Sequence, residues 1–137
     1  MTTIAYRDGV LAADSLATCN GMRDGYGAKI WRVGRLLVGG AGSRAECLKF
    51  RDWVVAGMKG RPDIAETNAI VVSPEHVVCW SEKGCWPVAE PFYAIGSGYE
   101  IAIGAMAVGA DAERAVHIAA QYDTRTGGDV ITLRLTD

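Results

Sequence analysis

An α+β fold of two packed antiparallel sheets, with helices on their outer faces, is predicted by three observations. Two-residue hairpin signals punctuate the first forty residues, at Asp8-Gly9 and around Gly34. Apolar residues recur at helical spacing in 43–58 and 112–122, and an Ala-rich helical stretch follows Gly96-Ser97-Gly98. The resulting order is strands, helix, strands, two helices, strand, which is a layered α+β solution. No repeat, low-complexity segment or linker divides the 137 residues, so one domain over 1–137 is expected.

Each element has its own signal. Residues 2–7 and 10–15 read as strands joined at Asp8-Gly9. Residues 16–26, rich in Gly, Asn, Asp and Arg, read as a loop. Residues 28–33 and 35–40 form a second hairpin around Gly34, and Gly39, Gly40 and Gly42 close it. Ser43 with Glu46 three residues on has the pattern of a capping box. The helix it opens is expected to reach about Met58, where Gly57, Gly60 and Pro62 end it. Residues 68–73 and 75–81 are β-rich runs about Pro74, with short strands near 86–88 and 92–95 after a turn at Glu82-Lys83-Gly84. Asp111 caps the helix over 112–122. Gly127-Gly128 turns the chain into a terminal strand, 129–135.

Composition narrows the function classes. Half the residues are hydrophobic, 22% are charged, and the formal net charge is -2. No global basic field favours nucleic acid or an anionic membrane. No apolar run reaches transmembrane length, and the N-terminus lacks the basic flank and apolar stretch of a signal peptide. Cys19, Cys47, Cys79 and Cys85 form no CxxC, and His76 and His117 complete no zinc spacing, so no metal is expected. The cysteines read as free thiols in a reducing compartment, although Cys79 and Cys85 flank a turn across which they could pair.

The start of the chain carries the sharpest chemical signal. Met1 precedes a small residue, so aminopeptidase trimming would expose Thr2. A free α-amine, with an ordinary pKa of about 7.7–8.0, can serve as base for the hydroxyl of the same residue.

Five segments, in order, resemble proteasome β-subunits and the bacterial HslV protease subunit, which are N-terminal-nucleophile hydrolases. They are Thr2-Thr3-Ile4 with Asp8-Gly9-Val10-Leu11-Ala12-Ala13-Asp14, then Lys29-Ile30, then Gly39-Gly40-Ala41-Gly42-Ser43, then Ala94-Ile95-Gly96-Ser97-Gly98, then Asp123-Thr124-Arg125-Thr126-Gly127-Gly128. The last has threonine where the family's Asp-x-x-Ser-Gly-Gly has serine. The resemblance implies a four-layer αββα sandwich, truncated at the C-terminus, with the family's final strand and last helix missing.

Position by position, the resemblance makes Thr2 the nucleophile and, through its amine, the base. Lys29 would favour the alkoxide by its charge, and Asp14 would hold Lys29. Ser97, Asp123 and Thr126 would bond around the amine. The Gly42 N–H would face the oxyanion, and Gly40 would shape the first specificity pocket, leaving it roomy. Taken singly, Asp14 also reads as an Asx turn, Lys29 as a surface lysine, Ser97 as a helix cap, and 123–128 as a helix exit. The implied function is a cytoplasmic threonine peptidase in a homo-oligomeric ring, acting on peptides or unfolded protein, with an ATP-dependent unfoldase as partner. No cofactor, nucleic acid or membrane is implied. Two other readings stay open: a non-catalytic ring or assembly subunit, for example in a phage particle and so in the virion, and a small-molecule amidase.

Overall fold

The computed structural model describes residues 2–136; Met1, and with it the expected trimming, lies outside the described residues, as does Asp137. The chain runs β1 (Thr3–Arg7), β2 (Val10–Ala13), β3 (Leu16–Cys19), β4 (Met22–Tyr26), β5 (Ile30–Val33), β6 (Leu36–Ala41), α1 (Arg44–Val55), β7 (Asn68–Val72), β8 (Val77–Ser81), β9 (Gly84–Pro87), β10 (Phe92–Gly96), α2 (Tyr99–Ala107), α3 (Ala112–Tyr122) and β11 (Ile131–Arg134). One antiparallel sheet has the order β10-β1-β2-β11 and a second β5-β6-β7-β8-β9, while β3 and β4 form a separate ribbon.

Strand alternation sorts the side chains into three cores, because successive residues of a strand point to opposite faces. Ile4, Leu11, Ala13 and Ile95 meet Ile30, Leu37, Ile70, Val72 and Cys79 between the sheets. Ala5, Ala12 and Ala94 face the other way, beneath Ala102, Ala105 and Met106 of α2 and Ala112, Ala115 and Val116 of α3. Val38, Ala69 and Val71 of the second sheet pack on Phe50 and Val54 of α1. The layers are therefore α1, five strands, four strands, and α2 with α3. Each wholly buried Ile, Leu or Phe here contributes roughly 1.5–3 kcal/mol.

The αββα sandwich is as expected, with local differences. Residues 16–26 are not a loop but the β3–β4 ribbon. Its turn is Asn20-Gly21, with φ of 51° and 81°, the paired positive values of a type I′ hairpin. α1 stops at Val55, short of Met58, which has a φ of 56°. Ser43 does cap the helix, its Oγ accepting from the Glu46 N–H at 3.4 Å. Glu46 does not reach back: its carboxylate accepts from the Ala65 and Glu66 N–H groups, both at 3.0 Å, and from Thr67 Oγ1 at 2.8 Å. Thr67 Oγ1 in turn accepts from the Ser43 N–H at 3.1 Å. Of the apolar residues around α1, Phe50 and Val54 are buried, whereas Val55 is 64% exposed. All four cysteines are free; Cys79 lies opposite Trp86 and Cys85 opposite Trp80, so the two do not face each other.

Candidate active site

β1 enters its sheet between β2 and β10, and this sets what surrounds its first residues. Thr2 is 3% exposed. On the β10 side its backbone nitrogen donates to Ser97 Oγ at 3.2 Å, and the Gly98 N–H donates to the Thr2 carbonyl at 3.3 Å. Ser97 sits where β10 ends and α2 begins, but Gly98 is the N-cap, so Ser97 is free of capping duty.

Ser97 Oγ and Thr126 Oγ1 both donate to Asp123 Oδ2 at 2.6 Å. Thr126 has only one hydroxyl proton, and it goes to Asp123. The 2.7 Å contact between Thr3 Oγ1 and Thr126 Oγ1 is therefore a donation from Thr3. Every proton in this chain points toward the Asp123 carboxylate. Burial pushes the Asp123 carboxyl up, but hydrogen bonds from Ser97, Thr126 and the Arg125 N–H outweigh it and leave its pKa below the usual value. The anion is thus held in place, and Ser97 faces the Thr2 nitrogen as an acceptor.

On the β2 side, Asp14 is 1% exposed and accepts three bonds. Thr3 N–H and Lys29 Nζ reach Oδ1 at 3.1 and 2.9 Å, and the Gly127 N–H reaches Oδ2 at 3.0 Å. Burial lowers the Lys29 pKa, and the charge and hydrogen bond of Asp14 only partly restore it. Thr2, Lys29, Gly40 and Gly42 line one cavity of about 200 Å³, with Trp31, Cys47 and Leu48 among its apolar walls.

Gly42 has a φ of 142°, and a Cβ there would stand 2.6 Å from the Glu66 carbonyl oxygen, so only glycine fits where the chain turns into α1. Gly40 leaves less room than its missing side chain suggests. Its would-be Cβ lies 2.8 Å from Cys47 Sγ, so Cys47 already fills that space. Burial pushes the Cys47 thiol up to about 11, which keeps it from competing as a thiolate beside Thr2 near neutral pH.

No protein-family model and no curated protein matches this sequence. Solved structures do match. Thiobacillus denitrificans BPH in complex with epoxomicin superposes with a TM-score of 0.73 at 21% identity, over 99% of this chain and 99% of that one. A second structure of Thiobacillus denitrificans BPH gives 0.72 at 21%, over 98% and 97%. Eukaryotic HslV from Trypanosoma brucei gives 0.72 at 21%, over 97% and 98%. This chain has the HslV-type, proteasome-like fold. At 21% identity the likeness is one of fold.

Within this HslV-type fold, all eight residues singled out from the sequence fall around Thr2. Thr2, Lys29, Gly40 and Gly42 line the cavity; Asp14 lies behind Lys29; Ser97, Asp123 and Thr126 lie on the far side of the Thr2 nitrogen. The sequence reading missed Thr3, which joins both networks through its N–H and its hydroxyl. It also missed the Glu46–Thr67 clamp behind Gly42. Glu46 carried a signal, since it was already marked as a cap residue. Among the described residues, no group of three or more His, Cys, Asp or Glu is arranged to hold a metal, and no helix is long and apolar enough to cross a membrane.

Proposed function

We propose that this protein is a threonine peptidase that uses Thr2, after removal of Met1, as its nucleophile. The contact that carries the reading is Ser97 Oγ at 3.2 Å from the Thr2 nitrogen. Ser97 spends its own proton on Asp123, so it can only accept from that nitrogen. A free amine there keeps its lone pair for the hydroxyl proton.

Thr2 Oγ1 attacks the peptide carbonyl carbon, and its proton passes to the α-amine. Lys29, whose charge faces the same cavity, favours the developing alkoxide. The Gly42 N–H faces the oxyanion, and such a donor is worth about 2.7–4 kcal/mol. The C–N bond then breaks as the ammonium returns its proton to the leaving amine, giving an ester on Thr2. Water deprotonated by the same amine hydrolyses that ester. Asp14 positions Lys29, and Ser97, Asp123, Thr126 and Thr3 orient the amine. The substrates are peptides or unfolded protein, the working form is a cytoplasmic homo-oligomeric ring, and an ATP-dependent unfoldase feeds it.

The test is intact mass before and after incubation with epoxomicin, the compound bound in one Thiobacillus denitrificans BPH structure. Loss of Met1 and a one-to-one covalent adduct that Thr2→Ala abolishes are expected. Met1 retained in protein that hydrolyses peptides would reject the Thr2 mechanism. Met1 retained in inert protein would favour a non-catalytic ring subunit.

A further inference from the structure

We propose that Arg44 makes the cavity beside Thr2 a reader of acidic side chains, so that the residue whose carbonyl meets Thr2 is an aspartate or a glutamate. The inference rests on the peptidase reading and names its substrate class.

Arg44 opens α1 and lines the cavity with Thr2, Trp31 and Leu48. Its guanidinium lies across Gly27. A Cβ built on Gly27 would run into the terminal nitrogen and stand 2.9 Å from the guanidinium carbon. One terminal N–H donates to the Tyr26 carbonyl at 3.3 Å. Arg44 is exposed, and a seat without a Cβ and the Tyr26 carbonyl receive its guanidinium at the cavity wall.

A guanidinium has five N–H donors. Among the described residues, the Tyr26 carbonyl is its one hydrogen-bond acceptor, and no carboxylate lies within 4.0 Å. Of the cavity's other charges, one is matched within the protein and the other makes no contact with Arg44. Lys29 is matched by Asp14 at 2.9 Å. Asp24 sits on β4, exposed throughout, and makes no hydrogen bond or ion pair among the described residues. A bulge in the β3–β4 pairing between Ala17 and Thr18 leaves Asp24 without a partner residue in the ladder. A guanidinium with no carboxylate partner among the described residues favours a ligand carboxylate, whose two oxygens match the guanidinium fork. The α1 N-terminus adds potential of the same sign. The acidic residue of that turn, Glu46, is engaged with the 65–67 segment.

The test uses acetylated tripeptide aminocoumarin amides, Ac-Ala-Ala-X, with X as Glu, Gln, Leu or Lys. Both ends are blocked, so Glu carries the only carboxylate. Binding is measured by ligand-observed NMR on Thr2→Ala protein, and coumarin release on wild type. The Glu peptide is expected to bind roughly tenfold or more tighter than Gln, as a charged hydrogen bond gives. Arg44→Ala in the same background should erase that ratio, and Arg44→Glu should turn the preference to Lys.

Gly27→Ala displaces the guanidinium without changing a charge and should also erase the ratio. Its backbone is not in the left-handed region, so alanine fits there. Glu-selective binding lost in both variants supports the assignment, whether or not wild type turns over. Absent turnover with intact selectivity rejects the peptidase reading alone. Equal binding of Glu and Gln, no binding of any peptide, or a Lys preference removed by Asp24→Asn overturns the proposal. A free-acid Ac-Ala-Ala-Ala that binds as tightly as Glu, with the same Arg44 dependence, also overturns it.

Discussion

Asp14→Asn should destabilise the protein by about 3 kcal/mol, although it alters shape hardly at all. The Asp14 side chain is 0% exposed, and its two oxygens serve the Thr3 N–H, Lys29 Nζ and the Gly127 N–H. Asparagine offers one oxygen and one NH2. With the oxygen toward Thr3 and Lys29, the NH2 faces the Gly127 N–H, donor against donor. The opposite orientation sets the NH2 against an ammonium. An orphaned buried N–H costs about 1–3 kcal/mol, and breaking a buried ion pair about 3–5 kcal/mol. The Lys29 side chain is only 12% exposed, so water does little to screen the loss. The neutral oxygen that remains, and release of the Lys29 proton, bring the sum back to about 3 kcal/mol. For a domain of this length that lowers Tm by roughly 10 °C. Urea melts followed by the fluorescence of the four tryptophans give the midpoint and slope. Adding Lys29→Met to Asp14→Asn removes the buried charge that Asp14 no longer balances and should recover part of the loss. An Asn variant within about 0.5 kcal/mol of wild type, or a double variant no more stable than the single, would refute this reasoning.

Thr2→Ala should remove peptide hydrolysis in a coumarin-release assay while leaving the far-UV circular dichroism spectrum unchanged. Lys29→Ala should cost more turnover than Asp14→Asn. In wild type, kcat/KM should rise as the Thr2 amine loses its proton and fall again as Lys29 loses its own; burial lowers the Lys29 pKa, so a pH–rate profile should place the falling limb below 10.5. Asp123 has a lowered folded pKa, so its stabilisation is present above the unfolded value near 3.8 and is lost as pH falls through the folded one. Asp123→Asn should flatten that acid limb in urea melts, by less than about 1 kcal/mol, because the group is partly exposed to solvent. Sedimentation at micromolar concentration should report several subunits, since Val55, Leu48 and Met58 leave apolar surface on and just beyond α1.

The hairpins at Asp8-Gly9 and Gly34, and all three helices, were legible because turn residues and apolar periodicity agree there. The β3–β4 ribbon was not, although Asn20-Gly21 is a strong turn signal. All of β4 is exposed, so no apolar alternation marks it as a strand. At the site, Lys29 with Asp14 and Ser97 with Asp123 were legible through a resemblance in order and spacing. Thr3 was not, since a threonine in a strand is ordinary and its partners lie 11 and 123 residues away. Glu46 was legible as a helix-start residue, but the donors it accepts from lie 19 to 21 residues on, beyond any local pattern.

The alanine face of the first sheet has a consequence for the chemistry. Ala5, Ala12 and Ala94 let α2 and α3 lie close on the strands, and that closeness sets where the start of α2 falls. Gly98, at that start, has no space for a Cβ: one would strike Thr3 Oγ1 and stand 3.2 Å from both Ala119 and Thr126. The thickness of the outer layer is therefore the ruler that places Ser97 beneath the Thr2 nitrogen. Methyl groups added at Ala102 or Ala115, neither of which lines the cavity, would lift the ruler. Ser97 would lose register with the nitrogen before the sandwich lost its fold.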